Sequence, residues 1–356
     1  MVLLVSFAWF GVETIKNGPF FLSEFIAYQI DLFLNPVASH GQPFYYHFVV
    51  LLIGCFPISV IALMMFQKQN YQNENQKYLV KWMAVLFFVV LILFSIVKTK
   101  IVHYSSLCYF PLTFLAAYVL DNLYANKITW KPVLQYILLI IGLALSLAFI
   151  VIPLAGFDEE IKRQFLPYMK DPFAQANFLI PVKWSTMQLV PGFVFLYFLV
   201  ISIIRFFKKK TFEAARLLLF STLITVQLIL AWIVPSVEKH TQGAAIDFWK
   251  SHANEDAYIQ PLGYDSYAHY FYGKVTEENR KPAKFLAYYE THKSENPSNI
   301  IDEKNHLFTQ WLLEGNIDKT AYFCCIITKA EEFEKQYNLK QIGKNGGFVF
   351  FERKVE

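Results

Sequence analysis

Five apolar runs, each near or beyond the roughly 18–20 residues that carry a helix across a bilayer, limit what this chain can fold into. They lie at about 44–66, 79–98, 134–155, 190–207 and 213–235. A sixth, "SLCYFPLTFLAAYVLDN" at 106–122, is shorter and spans with tilt or local thinning of the bilayer. Lipid offers no water to backbone N–H and C=O groups, so such runs must satisfy them internally, as helices. Charged residues make up only 17% of the chain, against roughly a quarter in soluble proteins.

The first residues, "MVLLVSFAWFGV", are apolar but reach Glu13 too soon to span, and they lack the basic start of a signal peptide. They read as the second half of a spanning helix. The expected fold is therefore a polytopic α-helical membrane protein of about seven transmembrane helices, the first one partial.

Lys and Arg in the loops orient the spans. Lys68, Lys77 and Lys81, then Lys127 and Lys131, then Arg205, Lys208, Lys209, Lys210 and Arg216 fall in alternate loops. This places 67–78, 123–131 and 205–216 in the cytoplasm. Loops 13–43, 98–105 and 156–189, and everything after about 236, lie on the other side.

Beyond 236 the chain changes character. "QGAAIDFWKSHA", "HLFTQWLLEG" and "KAEEFEKQY" read as helices, while "DAYIQPL", "TAYFCCIIT" and "GGFVFFERK" read as strands. The expectation is two domains: 1–236, helical and transmembrane with an interfacial helix near 20–34, and 237–356, a soluble extracytoplasmic α/β domain. Cys55, Cys108, Cys324 and Cys325 show no metal-ligand spacing and read as free thiols.

Most spans hold no ionisable residue near the middle, which argues against ion-coupled transport. There is no P-loop or Gly-rich dinucleotide fingerprint. The net charge of +4 is too small to suggest a nucleic-acid partner. Polar residues gather instead at the outer membrane surface. In "NGPFFLSEFIAYQIDLFLNP", Glu24, Tyr28 and Asp31 recur at i, i+4 and i+7. That helix is either a strap with a wet edge or the wall of a cavity. His40 follows beside a glycine, ahead of the aromatic re-entry at Phe44, Tyr45 and Tyr46. Lys98, Lys100, His103 and Tyr104 then interrupt two apolar runs. Either the lysines snorkel to the interface, or they meet an anion such as a lipid phosphate. An extended backbone over 98–104 would turn Lys98, Lys100 and Tyr104 to one side and His103 to the other.

At "KTKIVHYSSLCYFPLTFLAA" and "FLSEFIAYQIDLFLNPVASHGQPFYYHFVVLLIGCFP" the chain resembles the aminoarabinose transferase and protein O-mannosyltransferase-like glycosyltransferases of the GT-C type. The resemblance covers roughly residues 1–125 and, in layout, the later helices and outer domain. It implies transfer of a sugar from a polyprenyl-phosphate donor to a lipid, glycan or protein acceptor, at the extracytoplasmic face of the cell's inner membrane. It implies that Lys100 and Tyr104 face the carrier phosphate and that the interfacial helix borders the cavity; Lys98 and His103 join them as candidate lipid-phosphate ligands, and Glu24, Tyr28, Gln29, Asp31 and His40 are the candidate cavity-facing residues. It departs at Val102, where the aminoarabinose transferases have proline, and at Gln29 and Leu32, where they have a histidine and a basic residue. No cofactor is read from the residues; a divalent metal enters only as something the resemblance allows in the full-length family. The family's catalytic carboxylate lies in its first outer loop, so the chain reads as a C-terminal half whose carboxylate is expected upstream of Met1, leaving the catalytic residue unknown and the chain alone inactive. The competing reading is a non-catalytic membrane scaffold subunit that presents the outer α/β domain.

Overall fold

A computed structural model describes residues 2–35, 41–280, 282–294 and 300–355. Its contacts divide it into two compact units: 1–150 with 190–228, and 151–189 with 229–356. The expected boundary near 236 and this division do not coincide, because 151–189 groups with the C-terminal residues.

The first unit is helical. It comprises α1 (Val2–Asn17), α2 (Phe20–Leu34), α3 (Tyr46–Gly54), α4 (Ile58–Ala62), α5 (Glu74–Ile96), α6 (Tyr109–Tyr124), most of α7 (Pro132–Phe157), α10 (Val190–Phe207) and most of α11 (Thr211–Trp232). Five helices are long and apolar enough to cross a membrane: 74–96, 102–124, 132–157, 186–207 and 211–232. A sixth crossing exists if the pair 46–54 and 58–66 is one span, but that pair bends by 109°. The expected straight run at 44–66 is thus broken. Pro57 ends it, since its ring disfavours helix in the residue before and its nitrogen cannot donate.

The start of α5 is set locally. Asn73 accepts from the Gln76 N–H at 2.9 Å, and the Gln76 side chain accepts from the Gln72 N–H at 2.7 Å. The core then forms where α4, α6, α7, α10 and α11 meet, around Val60, Val119, Leu138, Leu199 and Leu218. Close approach needs a small residue: a Cβ on Gly192 would lie 2.5 Å from Ile150 Cγ1. Apolar side chains facing outward, such as Trp82, Val89, Ile140 and Phe220, are what a lipid solvent requires.

The second unit holds α8 (Glu159–Phe165), α9 (Pro172–Phe178), α12 (Val234–Glu238), α13 (Ala244–Ser251), α14 (Ala268–Tyr272), α15 (Glu277–Arg280), α16 (Ala283–His292), α17 (Ile300–Glu314) and α18 (Ile327–Tyr337). Its sheet has the order β1-β2-β4-β3, from β1 (Tyr258–Leu262), β2 (Ala321–Ile326), β3 (Lys340–Asn345) and β4 (Phe348–Arg353). The β1–β2 pair is parallel and the rest antiparallel.

Strand side chains alternate between faces. Tyr258, Phe323, Cys325, Val349 and Phe351 pack against Phe285, Trp311 and Ala330 of α16, α17 and α18. Ile259, Cys324, Phe348 and Phe350 pack against Phe248 and Trp249 of α13. Both faces are covered, which is why "TAYFCCIIT" reads as continuously apolar rather than alternating. The neighbouring cysteines lie on opposite faces, and all four are free. Every element expected beyond 236 is present. The lysine-bearing edge strand β3 was not expected, because its exposed "KQIGKN" lacks an apolar period.

One buried amide ties 151–189 into this unit. Asn177 donates to the Thr241 carbonyl at 3.2 Å, and its Oδ1 accepts from the Gly347 N–H at 2.9 Å. Asp158 caps α8, accepting from the Glu160 N–H at 2.8 Å.

Candidate functional site

The two stretches that carried the resemblance meet within the first unit. The last carbonyls of a helix have no partner inside it. In α2 they are met by the lysine segment: Lys98 N–H donates to Phe33 at 3.1 Å and Thr99 N–H to Leu32 at 3.2 Å. The Thr99 hydroxyl adds a bond to the Asn35 carbonyl at 2.7 Å. Thr99 also bridges to Gly41. The interfacial helix is thereby fastened to the loop between α5 and α6.

The lysines take different places. Lys98 is exposed. Lys100 is only 4% exposed, and its Nζ donates to Val97, the cap residue of α5, at 2.5 Å. The ammonium therefore sits at the negative end of the α5 dipole. Burial, with the Lys98 charge beside it, holds the Lys100 pKa below the usual lysine value. An ammonium carries three donors, and a buried one is a strong partner for an anion that reaches it.

The expected extended strand from Lys98 to Tyr104 is not formed. The backbone bends at 97–98, and a tight 3-10 helix begins at Val102 and runs through Cys108 into α6. That turn leads directly into α6, so the helix extends back to 102. Tyr104 is consequently not aligned with the lysines by strand alternation. Tyr104 is half-buried against Phe94 at 5.6 Å, and His103 is exposed with its ring edge-on to Tyr104 at 5.1 Å.

On α2, Glu24 is half-buried while Tyr28, Gln29 and Asp31 are exposed. Asp31 accepts from Asn35 Nδ2 at 2.7 Å. Phe25, Ile26, Ile30 and Phe33 are exposed too, which suits a helix lying in an interface. His40 lies outside the described residues.

The sequence reading passed over His47. It is fully buried in α3, packs on Tyr46 and Phe94, and neither ring nitrogen has a hydrogen-bond partner among the described residues. The signal was there, a histidine one residue inside an apolar run, but the preceding tyrosines drew the reading toward an interfacial belt. His47 and Tyr104 thus flank one aromatic ring, Phe94. Among the described residues no group of three or more His, Cys, Asp or Glu could hold a metal ion.

The chain pairs a helical unit whose helices are long and apolar enough to cross a membrane with a small α/β unit, and its helix α2 is clamped to a basic loop. The chain has the fold of ArnT. It superposes on ArnT from Cupriavidus metallidurans bound to undecaprenyl phosphate with a TM-score of 0.57, covering 98% of this chain and 59% of that one at 12% identity. The apo state gives 0.54, with 98% and 58% covered and the same 12% identity. In sequence the chain is similar to the undecaprenyl phosphate-alpha-4-amino-4-deoxy-L-arabinose arabinosyl transferase of Wigglesworthia glossinidia brevipalpis, 34% identical over 102 residues. That match spans 26% of this chain and 17% of the relative. No protein-family model matches. The chain spans about three fifths of the solved ArnT and less than a fifth of the curated transferase. The resemblance read from the two motifs is the one that both comparisons return.

Proposed function

We propose that the chain works as, or as part of, an integral-membrane glycosyltransferase that takes a sugar from a polyprenyl-phosphate carrier and passes it to an acceptor outside the cytoplasm. The observation that carries this reading is the clamp between α2 and the segment 98–101. It sets a buried ammonium and an exposed one at the ends of two helices. Lys100 and Lys98 are the carrier-phosphate ligands, with Tyr104 and His103 as hydrogen-bonding neighbours. Glu24, Tyr28, Gln29 and Asp31 edge the same region, and His40 joins them by sequence position.

The topology supports the reading. Read as five consecutive crossings, the long apolar helices would leave 97–101, 158–185 and the residues after 232 on one side, and the basic stretches 125–131 and 208–210 on the other. With the basic side cytoplasmic, the lysine clamp and the α/β unit share the outer side of the inner membrane. The acceptor is a lipid, a glycan or a protein.

The test is photo-crosslinking of a diazirine-bearing polyprenyl phosphate in membranes holding the chain. Adducts should map to 20–34 and 98–109. No light-dependent adduct there, with adducts confined to α10 and α11, would favour a scaffold that merely presents the α/β unit.

A further inference from the structure

The α/β unit contains a cleft of about 800 Å³ that the carrier site does not use. It opens where the parallel strand β1 ends, the edge at which open α/β sheets bind ligands. Its floor is Gln260 and Leu262, and its walls come from the loop 263–267 and from α14, α17 and α18. Its size suits a small ligand rather than a protein surface.

The lining chemistry is selective. Gln260, Asn305, Thr309, Gln310 and Gln336 contribute amides and a hydroxyl. Gln260 is held by its amide on the Thr309 hydroxyl at 2.9 Å. Tyr264, Tyr267, Tyr270 and Tyr337 contribute rings. Tyr267 is 78% exposed, so its ring is open to a ligand in the cleft. Tyr270 is fixed from behind by the Arg280 guanidinium, 4.4 Å from its ring. His269 is 2% exposed and lines the cleft; among the described residues neither ring nitrogen has a partner within hydrogen-bonding geometry, though the Ser266 backbone lies beside it.

The charge is as informative. Among the described residues the cleft is lined by two carboxylates, Asp265 and Glu332, by two histidines, His269 and His306, and by no lysine or arginine; Lys329 pairs with Glu332 at 3.3 Å from outside the lining. That lining is poorly suited to a phosphate or a nucleotide. Planar amides, tyrosine faces and carboxylates match a polyhydroxylated ring. Its hydroxyls exchange hydrogen bonds with amides and acids, and its C–H face lies on the negative face of an aromatic ring.

We propose that this cleft is a saccharide-binding site for a short oligosaccharide that is uncharged or bears amino groups. The assignment stands on the cleft alone and holds whether or not the chain transfers a sugar.

The test uses the full chain in a detergent with no sugar head group. Binding of an N-acetylglucosamine trimer, of a glucosamine trimer and of inorganic phosphate is measured by calorimetry. Both trimers should bind, and phosphate should neither bind here nor compete. Tyr267→Ala, at an exposed position that leaves folding intact, should weaken both trimers tenfold or more. Gln336→Ala should weaken both as well. Asp265→Asn should weaken the glucosamine trimer selectively. No binding of either trimer to the folded chain, binding unmoved by Tyr267→Ala and Gln336→Ala, or competition by phosphate would each overturn the assignment.

Discussion

Asn177 and Gly347 lie 170 residues apart in the chain and 2.9 Å apart in the fold, the side-chain Oδ1 accepting from the backbone N–H. The same side chain, 2% exposed, donates to Thr241. Asn177→Ala would leave the buried Gly347 N–H without its partner and remove the bond to the Thr241 carbonyl. It should destabilise the C-terminal unit by roughly 1–3 kcal/mol, seen as faster amide exchange in 340–353. Unchanged exchange there would show that water replaces the amide.

The pH response of this unit should come largely from His269. Burial holds its pKa down at about 4, the nearby Ser266 backbone opposing and the Arg280 charge adding to the effect. Trp249 and Tyr270 pack around it at 6.1 and 3.9 Å. Below pH ~6.5 the unfolded ring takes a proton that the folded ring refuses until about pH 4, so stability is lost as pH falls through that window. The full effect is on the order of 3 kcal/mol. Thermal unfolding from pH 7.5 to 4.5 should show a falling midpoint that His269→Gln flattens; parallel curves for the two would contradict this.

Helix packing in the membrane unit should be intolerant at Gly192 and tolerant at Gly54. A Cβ at Gly192 meets Ile150 Cγ1 at 2.5 Å and the Ile150 backbone nitrogen at 3.1 Å, whereas one at Gly54 meets nothing within 4 Å. Gly192→Val should cost about 1–3 kcal/mol and lower the thermal midpoint in detergent. Gly54→Ala should leave that midpoint unmoved.

Sidedness is tested by labelling single cysteines in intact cells, in a background without the four native ones. Glu290→Cys should react with an impermeant maleimide, and Lys209→Cys should react only after permeabilisation. The reverse pattern would invert the whole topology.

The spans and the strands beyond 236 were legible because each writes its own period into a short window: a run of crossing length or an apolar strand between turns. The break at Pro57 was legible in principle, but the apolar run on both sides masked it. What could not be read were contacts between distant residues. Nothing local marks Asn177 as the partner of Gly347, or Thr99 as the cap of α2. The lysine motif was found from its types and its depth, but nothing in it decided whether the backbone stays extended to Tyr104. The helix of the following span reaches back to Val102 and decides the local conformation. His47 went unread because burial between two helices is a tertiary fact.

If Lys100 and Lys98 hold a lipid phosphate, the affinity of the purified chain for undecaprenyl phosphate depends on both. Lys98→Ala, at an exposed position, and Lys100→Ala should each weaken binding about tenfold or more, which corresponds to about 1.4 kcal/mol or more. Tyr104→Phe should cost less and His103→Ala least. Because Lys100 also caps α5, each variant's thermal midpoint is measured alongside, and Lys98→Ala carries the test if Lys100→Ala fails to fold. Folded lysine variants that bind the carrier as tightly as the parent would mean that both lysines only anchor helix ends at the interface, and the account would be wrong.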